Sequence, residues 1–153
     1  MKKHLLWLLP LVLVFGCKKD NKCPEVNITA PAAEVTTLRD YLTTNNITAT
    51  EDPRGFFYTI NNPGSGDKPT PCSNVTVGYA GKLTNGNQFD AQQSISFPLS
   101  DLITGWKEGI PLIATGGSMK LYLPPSLGYG SQARPGIPAN SILIFDITLR
   151  GFN

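Results

Sequence analysis

The chain has 153 residues, 41% hydrophobic and 16% charged, with a formal net charge of +2. That length and composition suit one globular domain with a single core, and scattered rather than striped basic residues speak against a nucleic-acid surface. One histidine, His4, and three cysteines with no Cys-x-x-Cys pair leave little material for nucleophilic or metal chemistry.

In chain order, residues 1–16 come first: Lys2 and Lys3, an apolar run from Leu5 to Phe15, and the small Gly16 before Cys17. These are the parts of a secretory signal, and the run is short for a membrane span. The order Val14, Phe15, Gly16, Cys17 resembles the lipobox of bacterial lipoproteins. That resemblance implies cleavage before Cys17, acylation of Cys17 and a lipid-anchored domain facing the periplasm or the cell surface. Lys18, directly after the cysteine, resembles the non-retention signal of outer-membrane lipoproteins, which would favour the outer membrane. Removal of the segment takes away Lys2, Lys3 and His4, leaving eleven basic and eleven acidic side chains and no histidine. A serine or cysteine nucleophile with a histidine base, and a histidine-ligated zinc, are thereby excluded from the mature domain. Residues 17–31 read as a tether. With Cys17 assigned to lipid, Cys23 and Cys72 remain, and outside the cytoplasm such a pair is expected to form a disulfide, with two free thiols as the alternative.

Residues 32–50 hold an N-terminal helix and a connection. Val35, Leu38, Tyr41 and Leu42 recur at helical spacing, and the helix is expected from Ala32 to Asn46. The main domain is expected over 51–153. "GFFYTINN" reads as a strand, and "PGSGDKPTP" as a loop. "SNVTVGYAGKLT" and "NQFDA" flank Asn85-Gly86, a strong hairpin signal. "SISFPL" reads as a separate short strand and "DLITGWKEGI" as a short helix capped by Ser100 or Asp101. "GSMKLYLP" and "SILIFDITLR" alternate, the latter with Leu143, Phe145, Ile147 and Leu149 on one face. The sum is an α+β domain: an antiparallel twisted sheet wrapped around one short helix.

Standard catalytic templates fail on this chain. "GYGSQA" fits a dinucleotide fingerprint in letters, but it follows a Pro-Pro turn and opens no helix. Asp101 and Glu108 read as solvated surface charges rather than a carboxylate pair for sugar chemistry. No metal and no cofactor is expected.

What the second half supplies instead is an ordered series of aromatic and branched residues: "YAGKLTNGNQFD", "FPLSDLITGW", "LYLPPSLGYG" and "GIPANSILIFD". This series, over about Gly55 to Leu149, resembles the FK506-binding-protein (FKBP) type of peptidyl-prolyl cis/trans isomerase. The resemblance implies one apolar pocket. Trp106 would be its floor, Phe89 and Phe145 its walls, and Phe97, Leu102, Ile103 and Ile137 further lining. Tyr129 and the backbone N–H of Ile137 would bind substrate carbonyls, and Asp90 would sit at the rim with Tyr79 as its hydrogen-bonding neighbour. The sequence departs from the family pattern in two places: "AQQSIS" carries no arginine to pair with Asp90, and Ile95 stands where an aromatic is frequent. Arg134 occupies a position where relatives vary.

The chemistry is consistent with this inventory. Rotation about an X-Pro bond breaks no covalent bond, so it needs neither nucleophile nor metal, and its barrier of about 20 kcal/mol is lost amide resonance. The expectation is a monomeric, lipid-anchored prolyl isomerase acting on proline-containing clients during the folding of exported proteins, with FK506-like macrolides as further ligands. A peptide-binding or chaperone module of the same fold with little catalysis is the alternative.

Overall fold

The structure, a computed structural model, describes Cys23 and residues 25–153. The signal segment, Cys17 and the first part of the tether lie outside the described residues. Helix α1 spans Ala32–Thr44 and buries Val35, Leu38 and Leu42. It stops two residues earlier than its periodicity suggests, because Asn46 takes a left-handed φ of 54°. The Ile47 N–H then donates to the Leu42 carbonyl and the Asn46 N–H to that of Thr43, a Schellman closure of the last turn.

Strands β1 (Thr50–Glu51), β2 (Phe57–Asn62), β3 (Asn74–Leu83), β4 (Gln88–Pro98), β5 (Ser118–Leu123) and β6 (Leu143–Phe152) form one sheet in the order β1-β2-β5-β6-β3-β4, with every neighbouring pair antiparallel. β1 lies in the stretch expected to be a bare connection; two residues are too few for any alternation to show. β4 absorbs the strand expected separately at "SISFPL" into one eleven-residue strand.

The Asn85-Gly86 signal does make the β3–β4 hairpin. The Gly86 N–H donates to the Leu83 carbonyl and the Leu83 N–H to that of Asn87, with Gly86 at φ 85°. A type I turn followed by a left-handed glycine results.

The short helix α2 (Thr104–Gly109) packs against the sheet. Gly105 and Gly109, one turn apart, let it lie directly on β5: a Cβ on Gly105 would sit 2.2 Å from Leu123 Cδ2, and one on Gly109 2.9 Å from Leu121 Cδ1. No side chain caps α2. Ser100 and Asp101, the expected caps, lie in a preceding 3-10 turn, where the Ser100 hydroxyl donates to Asp101 Oδ1 at 3.0 Å. From β6, Leu143, Phe145, Ile147 and Leu149 all enter the core.

The segment read as a tether is stitched down over its second half. The structure joins Cys23 to Cys72 in a disulfide. The Ala30 N–H donates to the Arg54 carbonyl at 2.8 Å, and Ala30 is buried. The Ile28 N–H donates to Glu108 Oε1 at 3.0 Å. Glu108 is therefore no solvated surface charge: it is 2% exposed beneath this strap.

Candidate functional site

Two bulges in β4 prepare the site. Gly81 pairs with Asp90 and Lys82 with Gln88, so Phe89 is the extra residue of the second bulge. In a regular strand Phe89 and Asp90 would point to opposite faces; the bulge lets both line the same cavity. Gly81 makes room for this arrangement, since a Cβ there would lie 2.5 Å from the Phe89 ring and 2.9 Å from that of Phe145.

The cavity holds about 430 Å³ and is lined by Tyr79 of β3, Phe89, Asp90 and Phe97 of β4, Leu102, Ile103 and Trp106 at α2, Phe145 of β6, and Tyr129, Arg134, Pro135 and Ile137 of the β5–β6 connection. All ten residues named from the resemblance thus meet in one place. Arg134 and Pro135 are additions. The Arg-Pro-Gly-Ile run was a visible turn signal, but nothing local shows that the turn folds over the aromatic cluster.

Trp106 is the hub of that cluster. Its ring meets Tyr79 edge to face at 5.1 Å between centroids and Phe145 at 5.3 Å, while Phe89 meets Phe145 at 5.6 Å. Such edge-to-face pairs fix ring orientation as well as bury area. The indole Nε1–H is buried without a hydrogen-bond partner among the described residues.

Polar groups are few. The Tyr79 hydroxyl donates to Asp90 Oδ2. Burial, and then this bond to Asp90, push the Tyr79 hydroxyl well above its ordinary range, so it stays protonated. Asp90 has no arginine partner, and its second oxygen is uncommitted among the described residues. The Ile137 N–H is already spent: it donates to the Arg134 carbonyl at 2.9 Å, and the Arg134 N–H returns the bond to Ile137 at 2.9 Å. The cause is the Pro135-Gly136 corner, with Gly136 at φ 76°, which closes as a type II turn. Sequence reasoning passed over a different donor. The Ile103 N–H, at the entry to α2 and on the cavity wall, has no partner among the described residues.

A family model, described as FKBP-type peptidyl-prolyl cis-trans isomerase, matches residues 66–150, more than half of the chain. The chain belongs to the FKBP-type peptidyl-prolyl cis-trans isomerase family. The FKBP-type isomerase FkpA of Buchnera aphidicola (subsp. Schizaphis graminum) is 47% identical over 100 residues, which make up 62% of this chain and 40% of that protein. The crystal structure of FkpA from Escherichia coli superposes with a TM-score of 0.72 at 34% identity, covering 80% of this chain and 60% of that one. A peptidyl-prolyl cis-trans isomerase from Pseudomonas syringae pv. tomato superposes at 0.70 and 29% identity, covering 81% and 97%. The FKBP match to the curated FkpA relative thus spans well under half of that protein's length. The FKBP domain cavity is formed by residues that fall within the matched span.

Proposed function

We propose that this protein is a peptidyl-prolyl cis/trans isomerase that binds the proline ring of a polypeptide on Trp106, between Phe89 and Phe145. The observation that supports this reading most is the contrast between the aromatic cavity and the few polar groups around it left uncommitted among the described residues, chief among them the Ile103 N–H, the Tyr129 hydroxyl and the second oxygen of Asp90. A twisted amide has less charge separation than a planar one, so an apolar cavity binds it better than the ground state. The Ile103 N–H and the Tyr129 hydroxyl hold the carbonyls that flank the rotating bond. With Ile137 tied to Arg134, Ile103 takes the backbone-donor role. Asp90, oriented by Tyr79, stands beside the rotating amide, whose carbonyl carbon becomes more electron-poor as conjugation is lost, and transfers no proton. Each 1.4 kcal/mol of preferential stabilisation is about tenfold in rate.

The leader-like segment and the lipobox-like order Val14, Phe15, Gly16, Cys17 support a cell-envelope setting and newly exported clients. Among the described residues no helix is long and apolar enough to cross a membrane. A macrolide of the FK506 class would compete for the same cavity. The test is the cis-to-trans rate of X-Pro peptides by NMR exchange. Acceleration that falls about tenfold or more in Asp90→Ala and in Phe145→Leu, with the fold retained, is the expected result. A folded wild-type protein that binds such peptides without accelerating them is instead a binding module.

A further inference from the structure

At the mouth of the cavity stands a cation without a carboxylate. Arg134 lines the cavity, and its guanidinium lies 5.6 Å from the centroid of the Tyr129 ring. Among the described residues no acid pairs with it, and Asp90, the other charged lining group, is engaged with Tyr79. The remaining arginines behave differently: Arg39 pairs with Glu51, Arg54 with Asp52, and Arg150 donates to the Gln93 carbonyl. Arg134 is also held in place. Two backbone hydrogen bonds to Ile137 and the Pro135-Gly136 corner fix its Cα, while the face of Tyr129 supports its head. A planar guanidinium already stacked on a ring loses less freedom on accepting a carboxylate than a loose lysine would.

We propose that Arg134 makes this a charge-selective site, favouring clients with a carboxylate side chain within two residues of the bound proline. The inference rests on the proline-pocket reading and names the substrate class for it. The attraction acts at an exposed rim, so its size is modest: about two- to five-fold between a glutamate peptide and its glutamine counterpart at low salt, shrinking as salt is added.

The experiment takes blocked peptides with Glu, Gln or Lys at each position from two before to two after the proline. It compares wild type with Arg134→Gln, Arg134→Lys and Arg134→Glu. The Glu-to-Gln ratio of kcat/KM, taken within each protein, cancels any general effect of the substitution. The expected result is one position where the ratio is about two to five in wild type, falls to one in Arg134→Gln, is partly restored in Arg134→Lys, and gives way to a preference for Lys in Arg134→Glu. A ratio of one at every position in wild type overturns the proposal, as does a preference that survives in Arg134→Gln. The same ratio is read in affinity by titrating the peptides against the Trp106 indole N–H signal. If peptides bind with the charge preference but are not accelerated, the isomerase reading fails and the arginine's role stands. If no peptide binds, both fail.

Discussion

Asp90 shows how much of a site hangs on one neighbour. It lies exposed at the rim with a single partner among the described residues, the hydroxyl of Tyr79, whose half-buried ring meets Trp106 edge to face. Tyr79→Phe keeps the ring and removes the bond, so we expect the fold to be retained and kcat/KM to fall by about tenfold, the worth of one well-placed charged hydrogen bond. Because Tyr79 is pushed above its ordinary value of 10.0, the wild-type rate is expected to stay level with pH up to that point. A pH-rate profile with an alkaline limb near 8 or 9 would contradict this assignment. At this scale the resemblance named Phe89, Trp106 and Phe145, which the structure gathers into one cavity. It supplied backbone donors poorly. Whether the Ile137 or the Ile103 N–H is available depends on hydrogen-bond accounting through the Arg134–Ile137 turn, and side-chain letters do not carry that information.

At the scale of elements, the decisive device is the pairing of a bulge with a glycine. Phe89 leans across Gly81, and the space it fills is the space a Cβ would need. Gly81→Ala is therefore expected to push Phe89 off the wall, raising KM for proline peptides several-fold, with about 1–3 kcal/mol lost from stability through overpacking. Peptide titration and thermal unfolding on the same variant check both parts; an unchanged KM would remove Phe89 from the binding wall. The hairpin itself was legible, since Asn-Gly at a turn has a mechanical reason. The bulges were not: "NQFDAQQSISF" reads as two strands because the extra residues at Phe89 and near Gln93 break the alternation on which a strand is recognised. The cap of α2 was misplaced for a related reason, as the chain takes a 3-10 turn over Ser100 and Asp101 before the helix begins.

At the scale of the whole molecule, the strap from Cys23 to Ala30 joins elements distant in sequence. The disulfide spans 49 residues, and the chain-entropy model credits a loop of that size with about 4 kcal/mol. Cys23→Ser is expected to lower unfolding stability by up to that amount, measured in denaturant, while peptide binding persists. Glu108 beneath the strap adds a pH dependence. Burial raises its carboxyl above the ordinary 4.5, against the opposing pull of the Ile28 N–H and of Arg54. The folded state thus holds a proton that the unfolded state releases, so this stabilisation is full below 4.5 and is lost as pH rises through the raised value. Asp52 runs the other way: burial works against its charged form, but the side-chain and backbone hydrogen bonds of Arg54 outweigh it and lower its pKa, so its contribution disappears in acid. Glu108→Gln is expected to gain on wild type steadily from acid to neutral pH in thermal unfolding; a gap that does not change with pH would show that folding leaves the Glu108 carboxyl at its unfolded value. The Cys23–Cys72 pairing was expected from the sequence, but the burial of Glu108 was not legible locally. Glu108 sits on a short helix directly after Lys107, and a strap arriving from eighty residues upstream covers it.

The strand order sets a schedule for synthesis. β6 follows the other described strands in sequence, yet it lies between β5 and β3, and it carries Phe145 of the cavity wall. Until residues 143–152 have been delivered, the β3–β4 hairpin and the β2–β5 pair have no shared strand, and the cavity has no back. A chain still emerging, or one clipped before β6, therefore holds every other aromatic of the cavity without the cavity. The cavity is complete only once β6 has threaded into the middle of the sheet, a long-range closure of the kind that folds slowly.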